Sequence, residues 1–322
     1  MSTSNSSPVT SSSALPAGLA QRMQPLPFDP AQLAGLSAKL LLSHHQNNYG
    51  GAVKRLNAIR ARLAALDFGG ASGFELNGLK REELIATNSM LLHELHFNNL
   101  GGAGQEMAPA MALALAASFG SVQRWRDEFT AMGRALGGGS GWVLLSFSPC
   151  DGSLVNQWAA DHTQALAGGT PILALDMYEH AYHLDFGANA GGYVQAFMAN
   201  IHWDFVYQAY QQAVHAASEA LGVAQAELPD GAQLLDVRRD AMYAQASQVI
   251  AGATWRDPAR VNAWAGELAP QQEVVVYCVY GHEVGRSTAL RLRAQGLKAR
   301  FLRGGFDSWQ AAGLPLAGKP GA

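Results

Sequence analysis

The residues best suited to chemistry in this chain are its histidines, and eight of the ten lie between His44 and His202. Asp176 and His180 stand four positions apart, directly after the apolar run Ile172–Leu175. A chain leaving a strand end presents side chains to a crevice, where a carboxylate and an imidazole can share a hydrogen bond or a cation. Two further segments sharpen that signal: LHELHFNNL (92–100), with His93 and His96, and SHHQNNY (43–49), with His44 and His45. A second chemistry is offered by Cys278, at the end of the β-branched run Val274–Tyr277 and ahead of a helix-forming stretch from Ser287. Backbone N–H groups at such a loop favour an anion, so this thiol is expected to titrate low and to act as a nucleophilic thiolate. The other cysteine, Cys150, lies in a Ser-Pro-Cys-Asp-Gly turn with no helix start after it.

The elements that must position these groups follow from periodicity. Ser37 is a candidate N-cap for Lys39–Ser43, and Val53, Leu56, Ile59 and Leu63 recur at helical spacing. Helices are predicted over 81–97, 111–117, 125–136 and 192–213, and strands over 142–148, 154–158 and 172–177. Helices, then strands, then a helix imply an α+β unit. Beyond it, short strands at 233–237, 274–278 and 299–302 alternate with helices, one of them over 287–295, which implies a small parallel α/β sheet. The pattern SEALGVAQAELPDG marks the seam. The boundaries drawn are a disordered Ser-rich tail over 1–25, a helical part over 26–110, an α+β part over 111–215, a linker over 216–230 and a last domain over 231–322.

Composition limits the remaining options. A chain of 322 residues has room for about two domains. With 22 Lys+Arg against 25 Asp+Glu the net charge is −3, which gives no footprint for nucleic acid or an acidic membrane. Hydrophobic residues make up 48% and charged residues 15%, enough to bury a sizeable core. Two cysteines exclude a disulfide scaffold and a cysteine-rich zinc site. No apolar run is long enough to span a membrane. The Ser-rich start has neither the basic residues nor the apolar stretch of a secretory signal, so a cytoplasmic protein is expected.

DMYEHAYHLDF (176–186), His93 within LHELHFNNL, ASFGS (117–121) and GSGW (139–142) resemble the signatures of iron/manganese superoxide dismutases, and the resemblance runs from Leu26 to about Tyr210. It implies that family's fold: an N-terminal helical hairpin, then an α/β domain with a small antiparallel sheet. Through the ungapped stretch Gly35–Asn57 it implies His44, His93, Asp176 and His180 as ligands of one iron or manganese ion per chain. Three neutral imidazoles and a carboxylate, with no thiolate, suit those metals. Superoxide is the implied substrate. Glu179 is expected to reach a partner's metal site, in a homodimer or homotetramer. The glutamine that orients the metal-bound solvent in iron-type members is replaced by Ser89, too short to reach, and the role passes to His162. The gating tyrosine aligns with Ala52, so Tyr49, nearly one turn earlier, is expected to replace it. Asn48, Tyr178 and His183 are further departures.

LLDVR (234–238), CVYGHEVGRST (278–288) and LRGGFDSWQAAGLP (302–315) resemble a single rhodanese domain, with a parallel sheet and sulfane sulfur carried as a persulfide on Cys278. Arg286 is the expected holder of the sulfur anion, and a sulfane-sulfur donor is the expected second partner. Seven residues separate Cys278 from Arg286, a longer loop than the family's usual one, and Val249–Ala253 replaces the usual His-Ile-Pro-Gly-Ala turn. Three functions compete: dismutation with a sulfur-carrying appendage, sulfur transfer beside a drifted dismutase domain, and a metal-stabilised module without catalysis.

Overall fold

The computed structural model describes residues 20–102 and 104–320. The tail expected over 1–25 lies mostly outside them, but its last residues are pinned: Gln21 N donates to Asn57 Oδ1 at 2.8 Å and Gln24 N to the Tyr49 hydroxyl at 2.8 Å. Helix α1 (Ala38–Ser43) starts at Ser37, whose Oγ accepts from Leu40 N as a cap. It passes without interruption through a π turn over His44–Tyr49 into α2 (Gly50–Ala64). Helix α3 (Gly73–Asn98) runs back beside α2 to close the helical hairpin. Next come α4 (Pro109–Phe119) and α5 (Val122–Ala135). Strands β1 (Trp142–Ser148), β2 (Ser153–Ala159) and β3 (Thr170–Asp176) form an antiparallel sheet in the order β2-β1-β3. The strands match their expected positions closely.

The helix expected over 192–213 is two helices, α7 (Ala190–Ala199) and α8 (Trp203–Ser218), with a short α6 (His183–Phe186) before them. Tertiary pairing makes the break. Asn200 donates to the carbonyls of Ala34 and Ala196 and accepts from Ala34 N, while His202 N donates to Asn99 O at 2.7 Å.

The second unit holds a parallel sheet in the order β4-β9-β8-β5-β7, built from β4 (Gly222–Val223), β5 (Gln233–Asp236), β7 (Thr254–Trp255), β8 (Glu273–Tyr277) and β9 (Lys298–Leu302). Strands β6 (Gln248–Ile250) and β10 (Leu316–Gly318) pair separately, and α9 (Asp240–Gln245), α10 (Val261–Trp264), α11 (Glu283–Ala294) and α12 (Gly305–Ala311) surround the sheet. The segment expected as a linker over 216–230 is structured instead. Its first residues finish α8, and Gly222–Val223 forms the sheet's edge beside β9. Helix α11 begins at Glu283, four residues before the expected start, which shortens the free loop after Cys278. Among the described residues no helix is long and apolar enough to cross a membrane.

The two units are clasped by α11, which packs on α8 and α4. Buried Arg291 donates to Ala117 O at 2.8 Å and Ser118 Oγ at 2.9 Å, and Leu290 enters the core of the first unit. Hydrogen bonds from a charged donor contribute about 1.5–3 kcal/mol. Replacing Arg291 by Ala should therefore destabilise the second unit by about that amount, and calorimetry should resolve its unfolding as a transition below that of the first unit.

Candidate metal centre and cysteine cavity

Four side chains from three distant parts of the chain converge at one end of the antiparallel sheet. His44 comes from the π turn, His93 from α3, Asp176 from the last position of β3, and His180 from the turn after it. One ligand atom from each lies within 4.8 Å of all the others. Asp176 Oδ2 is 3.1 Å from His44 Nε2, 3.2 Å from His180 Nε2 and 3.5 Å from His93 Nε2. His44, His93 and Asp176 are buried, and His180 is partly exposed.

Hydrogen bonding settles what the site can hold. His93 Nδ1 donates to Ser89 O at 2.6 Å, so its Nε2 carries a lone pair; that atom faces both Asp176 Oδ2 and His180 Nε2, the latter at 3.5 Å. Burial pulls His44 and His93 below the ordinary imidazole range, so both are neutral ligands near neutral pH. Burial alone would raise the Asp176 carboxyl, but the His180 and His44 imidazoles outweigh it and hold it well below the usual carboxylate range. The His93 lone pair and the buried carboxylate, with the Nε2 atoms of His44 and His180 beside them, make a space suited to a cation, and the donor set fits iron or manganese.

The other expected residues fall around this cluster. His162 lies 6.2 Å, ring to ring, from His93 and stacks on Tyr178 at 4.8 Å. Its Nδ1 accepts the Trp142 indole N–H at 2.9 Å, which leaves the ring proton on Nε2. Burial lowers its pKa, so it is neutral. Ser89 holds His93 through its carbonyl. Tyr49 lies beside His93 with ring centroids 6.4 Å apart, but its hydroxyl is turned to Glu94, donating to Oε1 at 2.7 Å. Burial raises that hydroxyl to about 12. His45 and His96 are satisfied by backbone, on Gln24 O and Ala174 O. Trp142 is buried and is also the donor that fixes His162; no signal in the chain marked that pairing.

Cys278 stands at the carboxyl end of β8, flanked by β5 and β9 near the middle of the parallel sheet. The loop after it is gripped by the start of α12, where Phe306 N donates to Cys278 O and Asp307 N to Val279 O, both at 2.9 Å. A Cβ on Gly305 would come within 2.4 Å of Cys278 O, so only glycine permits this approach. Two expectations are corrected here. Burial pushes the Cys278 thiol up, and the Glu283 carboxylate adds to that, against the N–H groups of Gly285, Gly281 and His282. The thiol points to His282 O at 3.9 Å. Arg286 does not hold an anion for Cys278. It donates to Gly281 O, Ser218 Oγ and Glu219, and its guanidinium lies 4.2 Å over Phe301. Sequence reading missed Glu283, which accepts from the Tyr207 hydroxyl at 2.6 Å and from Gln211 Nε2 at 3.2 Å, both on α8. Only the docking of the two units reveals that contact.

Residues 107–209 match the family model for iron/manganese superoxide dismutases, C-terminal domain, and residues 221–312 match that for the rhodanese-like domain. A superoxide dismutase [Fe] of Cupriavidus metallidurans is 67% identical over 181 residues, covering 56% of this chain and 91% of that protein. A superoxide dismutase [Mn] of Haloferax volcanii is 34% identical, covering 61% of this chain and 98% of the relative. A superoxide dismutase [Fe] of Aquifex pyrophilus is 32% identical, covering 58% and 90%. The relatives thus include enzymes named for either metal. With its four-ligand cluster, its antiparallel sheet and relatives matched over nearly their whole length, the chain belongs to the iron/manganese superoxide dismutase family and continues into a rhodanese-like domain.

Proposed function

We propose that this protein dismutates superoxide at one iron or manganese ion held by His44, His93, Asp176 and His180, and that its second domain carries sulfane sulfur on Cys278. The convergence of three imidazole nitrogens on one buried carboxylate oxygen carries the first part. A bound iron or manganese ion would accept the electron that one superoxide gives up as O2 and pass it to the next, which with two protons leaves as H2O2. The chain's own residues supply the rest. Ser89 O orients His93, and Tyr178 N–H fixes the second oxygen of Asp176 at 2.9 Å. His162, its tautomer set by Trp142, offers an Nε2–H to the small molecule in the site and tunes how tightly a proton is held there. Tyr49 packs beside His93 and closes that side of the site. Exposed Glu179, next to partly exposed His180, suits a dimer contact close to the ligands.

Metal binding contributes directly to folding free energy, so His93→Ala should abolish stoichiometric metal by elemental analysis and lower the melting temperature. Full metal in that variant would remove His93 from the ligand set. His162→Ala, and to a lesser degree Trp142→Phe, should keep the metal yet lower dismutation by about 10- to 100-fold. Wild-type rates in both would exclude the His162 role. For the second domain, thiosulfate should add one sulfur to Cys278 by mass spectrometry. Because burial and Glu283 raise this thiol, alkylation of Cys278 should keep accelerating as pH climbs past the ordinary thiol value of about 8.5. A rate already level at neutral pH would contradict the buried, protonated state.

A further inference from the structure

A cavity of about 340 Å³ opens against Cys278, and none of His44, His93, Asp176 and His180 lines it. Both units line it: Ala110 of α4 and Tyr207 of α8 on one side, and Arg239, Met242 and Tyr280 on the other. We propose that the dismutase unit forms the selecting wall of the Cys278 site, and that the site takes an organic persulfide bearing a carboxylate in preference to a small inorganic sulfur anion. This inference rests on the reading of Cys278 as a sulfur carrier.

Size is the first argument. The volume falls within the range of small-molecule sites, roughly 300–1,000 Å³, and leaves a five-atom oxyanion mostly unpacked. Charge is the second. Arg238 is spent, its Nε bonded to both oxygens of Asp236 at 2.9 and 3.0 Å. Arg239 has no carboxylate partner among the described residues and remains a cation at the cavity. Glu283, fixed from across the interface by Tyr207 and Gln211, places a negative charge beside the thiol. A compact dianion would bring both its charges next to Glu283. An organic persulfide brings one anionic sulfur to Cys278 and sets its carboxylate toward Arg239, which separates the like charges. Ala110, Met242 and the Tyr207 ring supply apolar contact for the carbon body.

The step balances without an oxidant. The Cys278 sulfur bonds to the outer sulfur of R–S–S⁻, the donor's S–S bond breaks, and the leaving thiolate takes the thiol proton. The products are R–SH and Cys278–S–S⁻.

The test compares glutathione persulfide with thiosulfate on the full-length, metal-loaded protein, with sulfur on Cys278 followed by mass spectrometry. Glutathione persulfide should load Cys278 at least about tenfold faster, and Ala110→Trp, which fills the cavity, should reduce that preference about tenfold. Metal content reports whether this variant has folded. Arg239→Gln, at a half-exposed position where folding is not at risk, should raise KM for glutathione persulfide about fivefold. Faster loading by thiosulfate, or wild-type behaviour in both variants, overturns the two-domain site and leaves the sulfur-carrier reading standing. If neither donor sulfurates Cys278, the sulfur-carrier reading itself fails.

Discussion

Asp176 is the constraint around which the first unit is organised. Its carboxylate is fully buried and has three imidazole nitrogens within 3.5 Å of a single oxygen. Burying a charge is costly unless it is paired or coordinates a cation. Three segments far apart in sequence must therefore meet at one end of β3. Side chains at the C-terminal end of α3 hold it to that strand: the capping Asn99 donates to Ile172 O at 3.0 Å and accepts from Ala174 N at 2.9 Å, while His96 bonds Ala174 O. The helix that carries His93 is thus locked to the strand that carries Asp176. His44 is carried by the π turn. Its i→i+5 bonding, seen in Gly50 N–H to His45 O, widens the helix locally, and such turns are frequent at functional sites.

The second unit is attached through the element that follows its cysteine. Within α11, Glu283 meets α8, Arg286 reaches Ser218 and Glu219, and Arg291 meets the end of α4. The interface combines the buried charged groups Glu283, Arg286 and Arg291 with apolar contacts made by Val284 and Leu290. Polar contacts of this kind fix geometry closely, because each leaves an unsatisfied partner if the units shift. That makes the environment of Cys278 a property of both units together.

How much of this could be read from the chain alone depended on whether the signal was local. The strands at 142–148 and 172–177, the Ser37 cap and the clustering of His44, His93, Asp176 and His180 were legible because periodicity, cap chemistry and family spacing are written in short segments. The break at Asn200 was not, since it depends on Ala34, 166 positions away. Neither was the fate of Arg286, which reads as an anion holder until Ser218 and Glu219 are seen beside it. The thiol of Cys278 failed for the same reason. A strand–loop–helix pattern speaks of amides and their dipoles, but it says nothing of the burial that a neighbouring domain imposes.

The short strand Gly222–Val223 has a consequence for how the two halves can be parted. It is an edge of the parallel sheet supplied by residues that look like connector, and it covers one side of β9. A rhodanese-like domain excised at 231 would leave the Phe301–Leu302 backbone with bare N–H and C=O groups. Such an edge is a template for pairing with another chain. The covalent junction therefore also shields the sheet from self-association, and a gene rearrangement that freed this domain would have to carry those few preceding residues along.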